Sequence, residues 1–340
     1  MGEGRHRLRN IVYLCRMMEQ KRVSIVMCTY NGERFLHEQL DSLLAQTRLP
    51  DEIIIQDDNS TDGTWALLED YAARDPRIRL YRNQAGQGVN NNFFSALQRA
   101  TGDLIAISDQ DDIWEPDKIE CQLAAIGDNL LCTCRTKPFT TDGSPVSYDP
   151  RTPNYKLPRM LYTSIAGHTM LIDRRLLDLV LDHHVVGKLY YDVILAMTAS
   201  AMDSISLVDK VLVHQRRYPE AETYTSTDLH RRPSVANGRY TLLWSLKHYR
   251  EMQPYLFDYF QRRHRLLQGI PAQGETYEDV TAMADLEGRP GLGNLLRLCR
   301  YHVKHRHNLF YTEGRGLVNA LRAMLYCIMH VYFFRHLLNK

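Results

Sequence analysis

Short apolar, β-branched runs alternate with helical patterns over the first third of the chain. VSIVMC (residues 23–28) leads into a polar turn and then an amphipathic helical pattern, and EIIIQ (52–56) repeats this order. RIRLY (77–81) and DLIAIS (103–108) are predicted to form two further strands with helices between them. Strands that alternate with crossover helices form a parallel sheet. The sequence therefore predicts a doubly wound α/β domain.

The pattern changes after residue 130. Strand-like pieces (LLCTC, HTMLI and SLVDKVLV) and two helical segments, near 174–181 and 190–201, are predicted to form the second half of the same domain. Beyond about residue 217 the strand signal fades and three long segments have helical patterns. The predicted organisation is a basic N-terminal extension at 1–21, the α/β domain at 22–220 and a helical, basic, membrane-associating region at 221–340.

The cysteines and the N-terminus favour a protein of the reducing cytosol. Seven cysteines are scattered along the chain without any Cys-x-x-Cys pair, a distribution that argues against a disulfide framework or a zinc cluster. The first 22 residues are basic, but Arg16 interrupts their short apolar stretch. We therefore predict no secretory signal peptide.

Positive charge is concentrated at the C-terminus. Residues 291–340 contain eight Lys or Arg and a single acid, Glu313, which suggests an anionic partner, either a membrane surface or nucleic acid. A basic, solvated helix face is the alternative. AMLYCIMHVYFF, between Arg322 and Arg335, has twelve residues and is too short to span ~30 Å of hydrocarbon. We expect an interfacial, peripheral attachment to the inner face of the cell membrane and no nucleic-acid partner.

Polar residues follow the predicted strands at their carboxyl ends. Ligands of open α/β sheets collect there, so these loops are the candidate site. The loop after the first strand offers Thr29, Tyr30 and Asn31, the loop after the second offers Asp57 and Asp58, and the loop after the fourth, SDQDDIW, offers Asp109, Asp111 and Asp112.

These carboxylates predict a cation. Several carboxylates at one edge of a sheet repel one another unless a cation or a donor-rich ligand lies between them. Mg²⁺ is usually held by one or two carboxylates and the phosphates of a substrate, so the Asp109-x-Asp111 pair suits a metal-bound diphosphate. Asp-rich turns also cap helices, which is the alternative interpretation.

Other motifs in the sequence are incomplete. Asp58-x-Ser60-x-Asp62-Gly63, followed by Glu69, resembles a calcium-binding EF-hand loop, but a strand-like segment precedes it where an EF-hand has a helix. A polar helix start is a sufficient explanation for it. The sequence has no complete dinucleotide fingerprint, phosphate-binding P-loop, HExxH motif or Gly-x-Ser-x-Gly motif.

Four segments together resemble a known family. VSIVMCTYNGERFLHEQLDSLLAQT, IIIQDDNSTDGT, NQAGQGVNNNFFSAL and TGDLIAISDQDDIWEPDKIECQL, within residues 22–125, are similar to the inverting family 2 glycosyltransferases of GT-A fold. The similarity is closest to the bacterial rhamnosyltransferase-like branch. Weaker similarity continues through GHTMLIDRRLL and YYDVILAMTAS to about residue 215. The resemblance implies a GT-A-type domain that binds a nucleoside-diphosphate sugar.

The resemblance also assigns roles to single residues. It implies that Tyr30 and Asp58 contact the nucleotide base, that Asp109 and Asp111 bind Mg²⁺ or Mn²⁺ with Asp111 as the principal ligand, and that Asp192 is the catalytic base. The alternative for Asp192 is a helix-start carboxylate stabilised by the helix dipole. The full expected set is Thr29, Tyr30, Asn31, Asp58, Asn92, Asp109 and Arg217 for the nucleotide sugar, and Trp114, His168 and Tyr191 on the acceptor side.

The chain departs from the branch on the acceptor side. The branch has His-Asp-Trp-Trp where this chain has Tyr191-Asp192-Val193-Ile194, and Cys where His168 stands. Near residue 215 the branch has Tyr-Arg-Gln-His, whereas this chain has His214-Gln215-Arg216-Arg217. We expect the arginines here to contact the diphosphate in place of a late histidine ligand.

The expected reaction follows from these roles. The metal offsets the charge of the departing nucleoside diphosphate while a carboxylate deprotonates the acceptor hydroxyl, and backside attack inverts the anomeric carbon. The expected partners are a dTDP- or UDP-sugar, with rhamnose as the sugar suggested by the branch, and a polysaccharide or lipid-linked glycan. The alternatives are a sugar-phosphate nucleotidylyltransferase, whose Gly-rich phosphate loop is absent after strand one, and a catalytically inactive glycan-binding or scaffold protein of the same fold.

Overall fold

A computed structural model describes most of the chain as two compact units that interleave along the sequence. It covers residues 21–146, 148–182, 189–219, 235–310 and 316–339. The first unit comprises the described parts of Met1–Tyr148, Ile165–Asp178 and Ser204–Asp228, and the second those of Asp149–Ser164, Leu179–Asp203 and Leu229–Lys340. The predicted N-terminal extension lies outside the described residues except for Lys21.

An eight-stranded mixed sheet organises the first unit. Its strand order is β3-β2-β1-β4-β7-β6-β8-β5. The strands are β1 (Val23–Thr29), β2 (Glu52–Asp57), β3 (Ile78–Arg82), β4 (Leu104–Ser108), β5 (Ile113–Trp114), β6 (Leu131–Thr140), β7 (Leu171–Asp173) and β8 (Ile205–Arg217).

The first four strands are parallel, as their alternation with helices predicted. β1 lies between β2 and β4, with Thr29 opposite Asp57 and Met27 opposite Ser108. The apolar residues of β1, β2 and β4 are buried, which explains why these strands have continuous apolar runs rather than an alternating pattern. The α/β fold class is confirmed.

The second half of the sheet contains the features that periodicity did not predict. β7 is antiparallel to both β4 and β6, and the two-residue strand β5 pairs with β8 through Val213 and His214. The predicted strand HTMLI begins instead as a 3₁₀ turn, Gly167–Thr169, before β7. Because β7 is antiparallel to β4, this 3₁₀ turn lies at the same end of the sheet as the carboxyl end of β4.

Helices follow the strands of the first unit. In α1 the side chains of Leu36, Leu40 and Leu43 are fully buried at helical spacing, which makes this helix amphipathic. These leucines share one core with the alternate residues of β1 and β2. The helices of this unit are α1 (Glu33–Leu44), α2 (Thr64–Arg74), α3 (Val89–Leu97) and α4 (Lys118–Ile126), and α6 (Arg174–Asp182) begins here and ends in the second unit.

The second unit is helical over its described residues. Its core contains long apolar side chains of several helices, among them Phe260, Leu267, Met283 and Leu298. Its elements are α5 (Leu157–Met160), α7 (Tyr191–Ala201), α8 (Val235–Gly269), α9 (Glu275–Leu286), α10 (Leu292–Lys304), α11 (Arg306–Leu309), α12 (Gly316–Met329) and the 3₁₀ segment His330–Asn339.

One described segment has the length and hydropathy of a membrane span. Gly316–Arg335 contains 20 residues with a mean hydropathy of 1.4, and 33% of its best window is buried within the protein. The sequence analysis underestimated the length of this apolar segment as twelve residues. The helix begins at Gly316 and continues through Arg322, instead of starting after it. Length and composition alone do not distinguish a span from a core helix.

Candidate functional site

Three loops begin at one edge of the sheet because their strands are parallel neighbours. The first and second loops are joined by side-chain bonds to the backbone. The Asn31 N–H donates to Ser60 Oγ at 2.9 Å, and Asn31 Oδ1 accepts from the Thr61 N–H at 2.9 Å. Asn31 has φ 46°, a left-handed conformation that asparagine tolerates better than most residues. Asn31 therefore holds the loops together.

The carboxylates of the second loop are saturated by donors from the chain itself. Buried Asp57 accepts hydrogen bonds from Thr29 Oγ1 (2.9 Å), the Ser60 N–H (2.9 Å) and Arg82 Nη1 (2.8 Å). Asp58, 6% exposed, accepts from Asn83 Nδ2 at 2.6 Å and from the Gly88 N–H at 2.8 Å. The hydroxyl group of Thr29, predicted to bind the nucleotide sugar, thus donates its hydrogen bond to Asp57 in this structure.

The loop after β1 and the loop after β4 are joined by two hydrogen bonds between a side-chain amide and the backbone. Gln110 Oε1 accepts from the Tyr30 N–H at 2.8 Å, and Gln110 Nε2 donates to the Tyr30 carbonyl oxygen at 3.0 Å. A Cβ at Gly32 would overlap the Gln110 amide, so glycine leaves room for this contact. The Tyr30 ring itself is 53% exposed, which leaves its face available to a ligand.

Asp109, Asp112 and His168 form a group of metal-ligand type. Their ligand atoms all lie within 4.8 Å of one another. His168 Nδ1 is 3.0 Å from Asp109 Oδ2 and 3.4 Å from Asp112 Oδ2. Among the described residues, the buried Asp112 Oδ2 and His168 Nε2 have no hydrogen-bond partner. Two carboxylates and an imidazole with unsatisfied atoms are a donor set that fits a divalent cation.

The charges in this group are strongly coupled. Burial raises the pKa of Asp112, and the neighbouring Asp109 and Asp111 raise it further. Burial acts in the opposite direction on His168, but the carboxylates of Asp112 and Asp109 outweigh it and raise its pKa to about 9. The group therefore retains a proton at neutral pH in the absence of a cation.

Asp111 lies beside this group with partners of its own. Its Oδ2 accepts from Tyr218 Oη at 2.7 Å, and its carbonyl oxygen accepts from Arg216 Nε at 2.9 Å. Burial and then the charge of Asp109 raise the pKa of Asp111. The sequence paired Asp111 with Asp109, whereas the structure brings Asp109 together with Asp112 and His168.

His168 was expected on the acceptor side, and the structure places it against Asp109. The reason is topological: His168 lies in the 3₁₀ turn that precedes β7, and β7 runs antiparallel to β4. Sequence spacing could have indicated Asp112, three residues after Asp109. Nothing in the sequence indicated that β7 lies next to β4.

Arg216, expected with Arg217 to contact a diphosphate, is held within the first unit. Its side chain is 3% exposed, and Nη2 donates to Glu38 Oε2 at 2.7 Å. Its guanidinium carbon lies 4.4 Å from the centre of the Phe35 ring. Arg217 is the last residue of β8 and is partly exposed. Arg217 is thus the more accessible of the two.

Two expected contact residues are buried. Asn92 Nδ2 donates to the Gln56 carbonyl oxygen at 3.1 Å and Asn92 Oδ1 accepts from Gln56 Nε2 at 3.1 Å, so its amide supports α3 against β2. The Trp114 ring is 2% exposed and lies 3.8 Å from the ammonium of Lys118. Both side chains support the loops from within the core.

Asp192 and Tyr191 belong to the second unit. Asp192 lies in the first turn of α7, its Oδ1 accepts from the Val193 N–H at 2.7 Å, and its Oδ2 accepts from Ser164 Oγ at 3.4 Å. Burial lowers the pKa of Arg263 in this unit, and the charge of Asp192 opposes that shift. Tyr191 is buried, with 6% of its surface exposed.

Comparisons with known proteins agree with this geometry. Residues 24–179 match the family described as glycosyl transferase family 2. The chain is 40% identical over 104 residues to EpsE of Bacillus subtilis (strain 168), a match that covers 30% of this chain and 37% of EpsE. It is 35% identical over 114 residues to the Escherichia coli UDP-Glc:alpha-D-GlcNAc-diphosphoundecaprenol beta-1,3-glucosyltransferase WfgD, covering 34% of this chain and 44% of WfgD. The chain thus matches less than half the length of these relatives.

A solved structure extends the likeness to the whole fold. S. aureus TarS residues 1–349 in complex with UDP-GlcNAc has a TM-score of 0.53 and 17% sequence identity, and the match covers 93% of this chain and 92% of that one. At this identity the likeness concerns the fold alone. The family match over residues 24–179 and the eight-stranded sheet agree with each other: this segment belongs to glycosyl transferase family 2, and the fold is that of the GT-A glycosyltransferases.

Proposed function

We propose that this chain is an inverting, metal-dependent transferase that moves a sugar from a nucleoside-diphosphate donor to a hydroxyl group of a glycan. The observation that carries the proposal is the group of Asp109, Asp112 and His168 at the carboxyl end of β4, within the segment that matches the family. Its unsatisfied buried atoms suit a cation, and a cation there suits a diphosphate.

We propose Mg²⁺ or Mn²⁺ as the cofactor. Asp109 and Asp111 are the ligands that the family resemblance implies, and the positions of Asp112 and His168 support adding them to the set. When bound, the ion would offset the negative charge of the departing nucleoside diphosphate. Tyr218 would orient Asp111 through the bond from its hydroxyl group.

The donor is proposed to bind across the three loops of the first unit. The exposed ring of Tyr30 offers a stacking surface for the nucleotide base, and the bonds of Thr29, Asn31 and Asp58 hold the loops that carry it. Arg217 would contact the diphosphate. WfgD is named for a UDP-Glc donor, which favours a UDP-sugar over a dTDP-sugar such as dTDP-rhamnose.

Asp192 is the proposed general base, with Tyr191 as a proposed acceptor-side residue. Asp192 lies in the first turn of α7, and a carboxylate can accept the proton that an acceptor hydroxyl loses. Its Oδ2 accepts a long hydrogen bond from Ser164 Oγ, at 3.4 Å, which a hydroxyl of an acceptor could replace. Buried Trp114 and Asn92 would act through the loops they support.

The acceptor is proposed to be a lipid-linked or polysaccharide glycan of the cell envelope, reached by a protein that lies at the inner face of the membrane. The name of WfgD, which acts on a diphosphoundecaprenol-linked sugar, supports this class of acceptor. The basic C-terminal region supports the peripheral location.

The test compares two aspartates that have different proposed roles. Donor affinity and turnover are measured with UDP-, dTDP- and GDP-sugars, with Mn²⁺ and with excess EDTA. We expect Asp192→Asn to lower turnover by about 10² to 10⁴-fold while the donor dissociation constant changes little. Asp109→Asn should weaken metal-dependent donor binding itself. Full turnover in EDTA, or unchanged turnover of Asp192→Asn with a lowered melting temperature, would contradict the proposal.

A further inference from the structure

The solvent-facing side of α12 is apolar. Leu317 is 86% exposed, Val318 76%, Leu321 50% and Met324 45%. These positions recur at intervals of three and four residues and so lie on one face of the helix. The opposite face packs inward through residues such as Ala323 and Cys327, which are buried. Both of these faces of the helix thus carry apolar residues, and only one of the two is covered by the rest of the protein.

A second exposed apolar stripe lies on the neighbouring helix. In α10, Leu292 is 71% exposed and Leu296 60%, one helical turn apart. Cys299 of the same helix donates its thiol hydrogen to the Met324 carbonyl oxygen of α12 at 3.5 Å. The two exposed stripes therefore flank one contact between helices. Several large exposed apolar side chains on two helices in contact are uncommon on soluble monomers unless they bind something.

Basic residues border this surface, and the two helices that form it carry no acidic residue. Arg297 and Arg300 of α10 are exposed, and neither forms an ion pair with any residue that the structure describes. Lys304, by contrast, is paired with Asp279. An apolar centre with an unbalanced basic border is complementary to an anionic, apolar partner.

The following segment is committed to the interior of the second unit. Val331 and Phe334 are buried, and buried His330 lies 3.1 Å from Glu287. His330 also bonds through Nδ1 to the Tyr326 carbonyl oxygen at 2.7 Å. A helix that carries a buried ionisable pair into a protein core is poorly suited to cross hydrocarbon. Most of the apolar run AMLYCIMHVYFF thus packs inside the protein. The outer face of α12 is what remains exposed to a partner.

We propose that the α10–α12 face, formed by Leu292, Leu296, Leu317, Val318, Leu321 and Met324, inserts into the interface of a membrane that contains anionic phospholipid. Arg297 and Arg300 bind the headgroups. The inference deepens the proposed peripheral location and rests on it, but it is independent of the transferase chemistry, because none of these residues belongs to the proposed catalytic or donor site.

The test is flotation of the full chain with vesicles of phosphatidylcholine, with and without phosphatidylglycerol. We expect binding to the anionic vesicles at low salt that weakens as salt rises. Leu317→Ser with Leu321→Ser should weaken vesicle binding by about tenfold or more, since each apolar side chain contributes to insertion. Arg297→Glu with Arg300→Glu should remove the preference for anionic vesicles.

A matched control separates this surface from general exposed leucines. Leu49→Ser alters a leucine of the first unit that is 48% exposed and should leave vesicle binding unchanged. Circular dichroism melts confirm that each variant is folded. Turnover with a water-soluble acceptor should be the same for all of these variants, so a failure of the transferase proposal is recognised separately.

Two results would overturn the inference. One is equal binding of the wild-type chain and the leucine variants to anionic vesicles. The other is a wild-type chain that binds no vesicles but sediments as a dimer, with the leucine variants sedimenting as monomers, because the face would then join two copies of the chain.

Discussion

Two pairs of aspartates at one edge of the sheet differ in how their negative charges are compensated. Asp57 and Asp58 are saturated by donors from the chain, including the Arg82 guanidinium and the Gly88 N–H. Asp109 and Asp112 share one histidine, and Asp112 keeps an oxygen without a hydrogen bond in the described chain. Adjacent carboxylates in a sequence therefore do not by themselves identify a metal site. The donors around them distinguish a structural loop from a binding loop.

Among substitutions in these loops, Asp109→Asn should show the largest effect. Losing a metal ligand removes several kcal/mol of charge stabilisation, so we expect turnover to fall by about 10² to 10³-fold. The melting temperature should change little, because the substitution removes a like charge next to Asp111 and Asp112 but also weakens the contact with His168. Steady-state kinetics and a thermal melt on the same preparation check both. A lowered melting temperature with normal turnover would place Asp109 among the structural carboxylates.

Asp57→Asn should have the reverse result. The amide oxygen can keep the bonds from the Ser60 N–H and Arg82, and the amide nitrogen can donate to the Thr29 and Ser60 hydroxyl groups. The negative charge that pairs with the Arg82 guanidinium is lost, however, which costs about 1 to 3 kcal/mol. Chemical denaturation measures that loss, while turnover per folded molecule should remain close to normal. Equal damage to stability from Asp57→Asn and Asp109→Asn would remove the contrast between the two loops.

The metal-free protein should become less stable as pH rises. The raised pKa of His168, about 9, means that its contribution is fully present below about pH 6.5 and is lost as pH rises through 9. The raised pKa of Asp112 acts in the same direction, because ionising this buried carboxyl opposes folding. We expect a decrease on the order of 1 to 3 kcal/mol between pH 6 and 9.5 in EDTA. Denaturation curves of the wild type and His168→Gln measure it.

Two outcomes sharpen that measurement. His168→Gln should show a flatter pH dependence, and Mn²⁺ should flatten the curve of the wild type, since a bound cation replaces the proton. The same steep dependence in His168→Gln would mean that other groups cause it.

Gln110→Ala should have the smallest effect. It removes two hydrogen bonds to the backbone of Tyr30 at an exposed position, so we expect a loss of about 1 kcal/mol or less. The donor KM should rise by roughly two- to tenfold, because the loop that carries the Tyr30 ring is less well positioned, with kcat nearly unchanged. A kcat effect as large as that of Asp109→Asn would show that Gln110 acts in the chemistry.

The sequence predicted the strands, helices and loops that depend on the pattern of nearby residues. Apolar runs and helical periodicity located β1 to β4 and their helices, and the polar residues after Cys28, Gln56 and Ser108 located the three loops. The partners of the carboxylates depended on long-range contacts. Asn83 and Gly88 saturate Asp58 from a loop that follows β3.

His168 is the clearest case of information that sequence pattern lacked. Periodicity indicates that a strand exists, but the neighbour of that strand in the sheet depends on how the whole chain packs. The burial of Trp114 and Asn92 has the same origin, because polar or aromatic residues near a loop look alike in sequence whether they face a ligand or the core. The roles of Asp111, Arg217 and Asp192 stay predictions.

The interleaving of the two units bears on how this chain is made and shortened. A chain ended at the predicted boundary near residue 220 would keep Asn154 and Tyr162 but lose their partners. The Asn154 amide donates to the Phe310 carbonyl oxygen at 3.0 Å, and the Tyr162 hydroxyl donates to Glu287 at 2.6 Å. During synthesis these middle segments must wait for the last helices to leave the ribosome before their polar groups are satisfied, while β1 to β4 can pair much earlier. The early part of the protein is thus a poor candidate for a free-standing catalytic fragment, and its late part completes the fold.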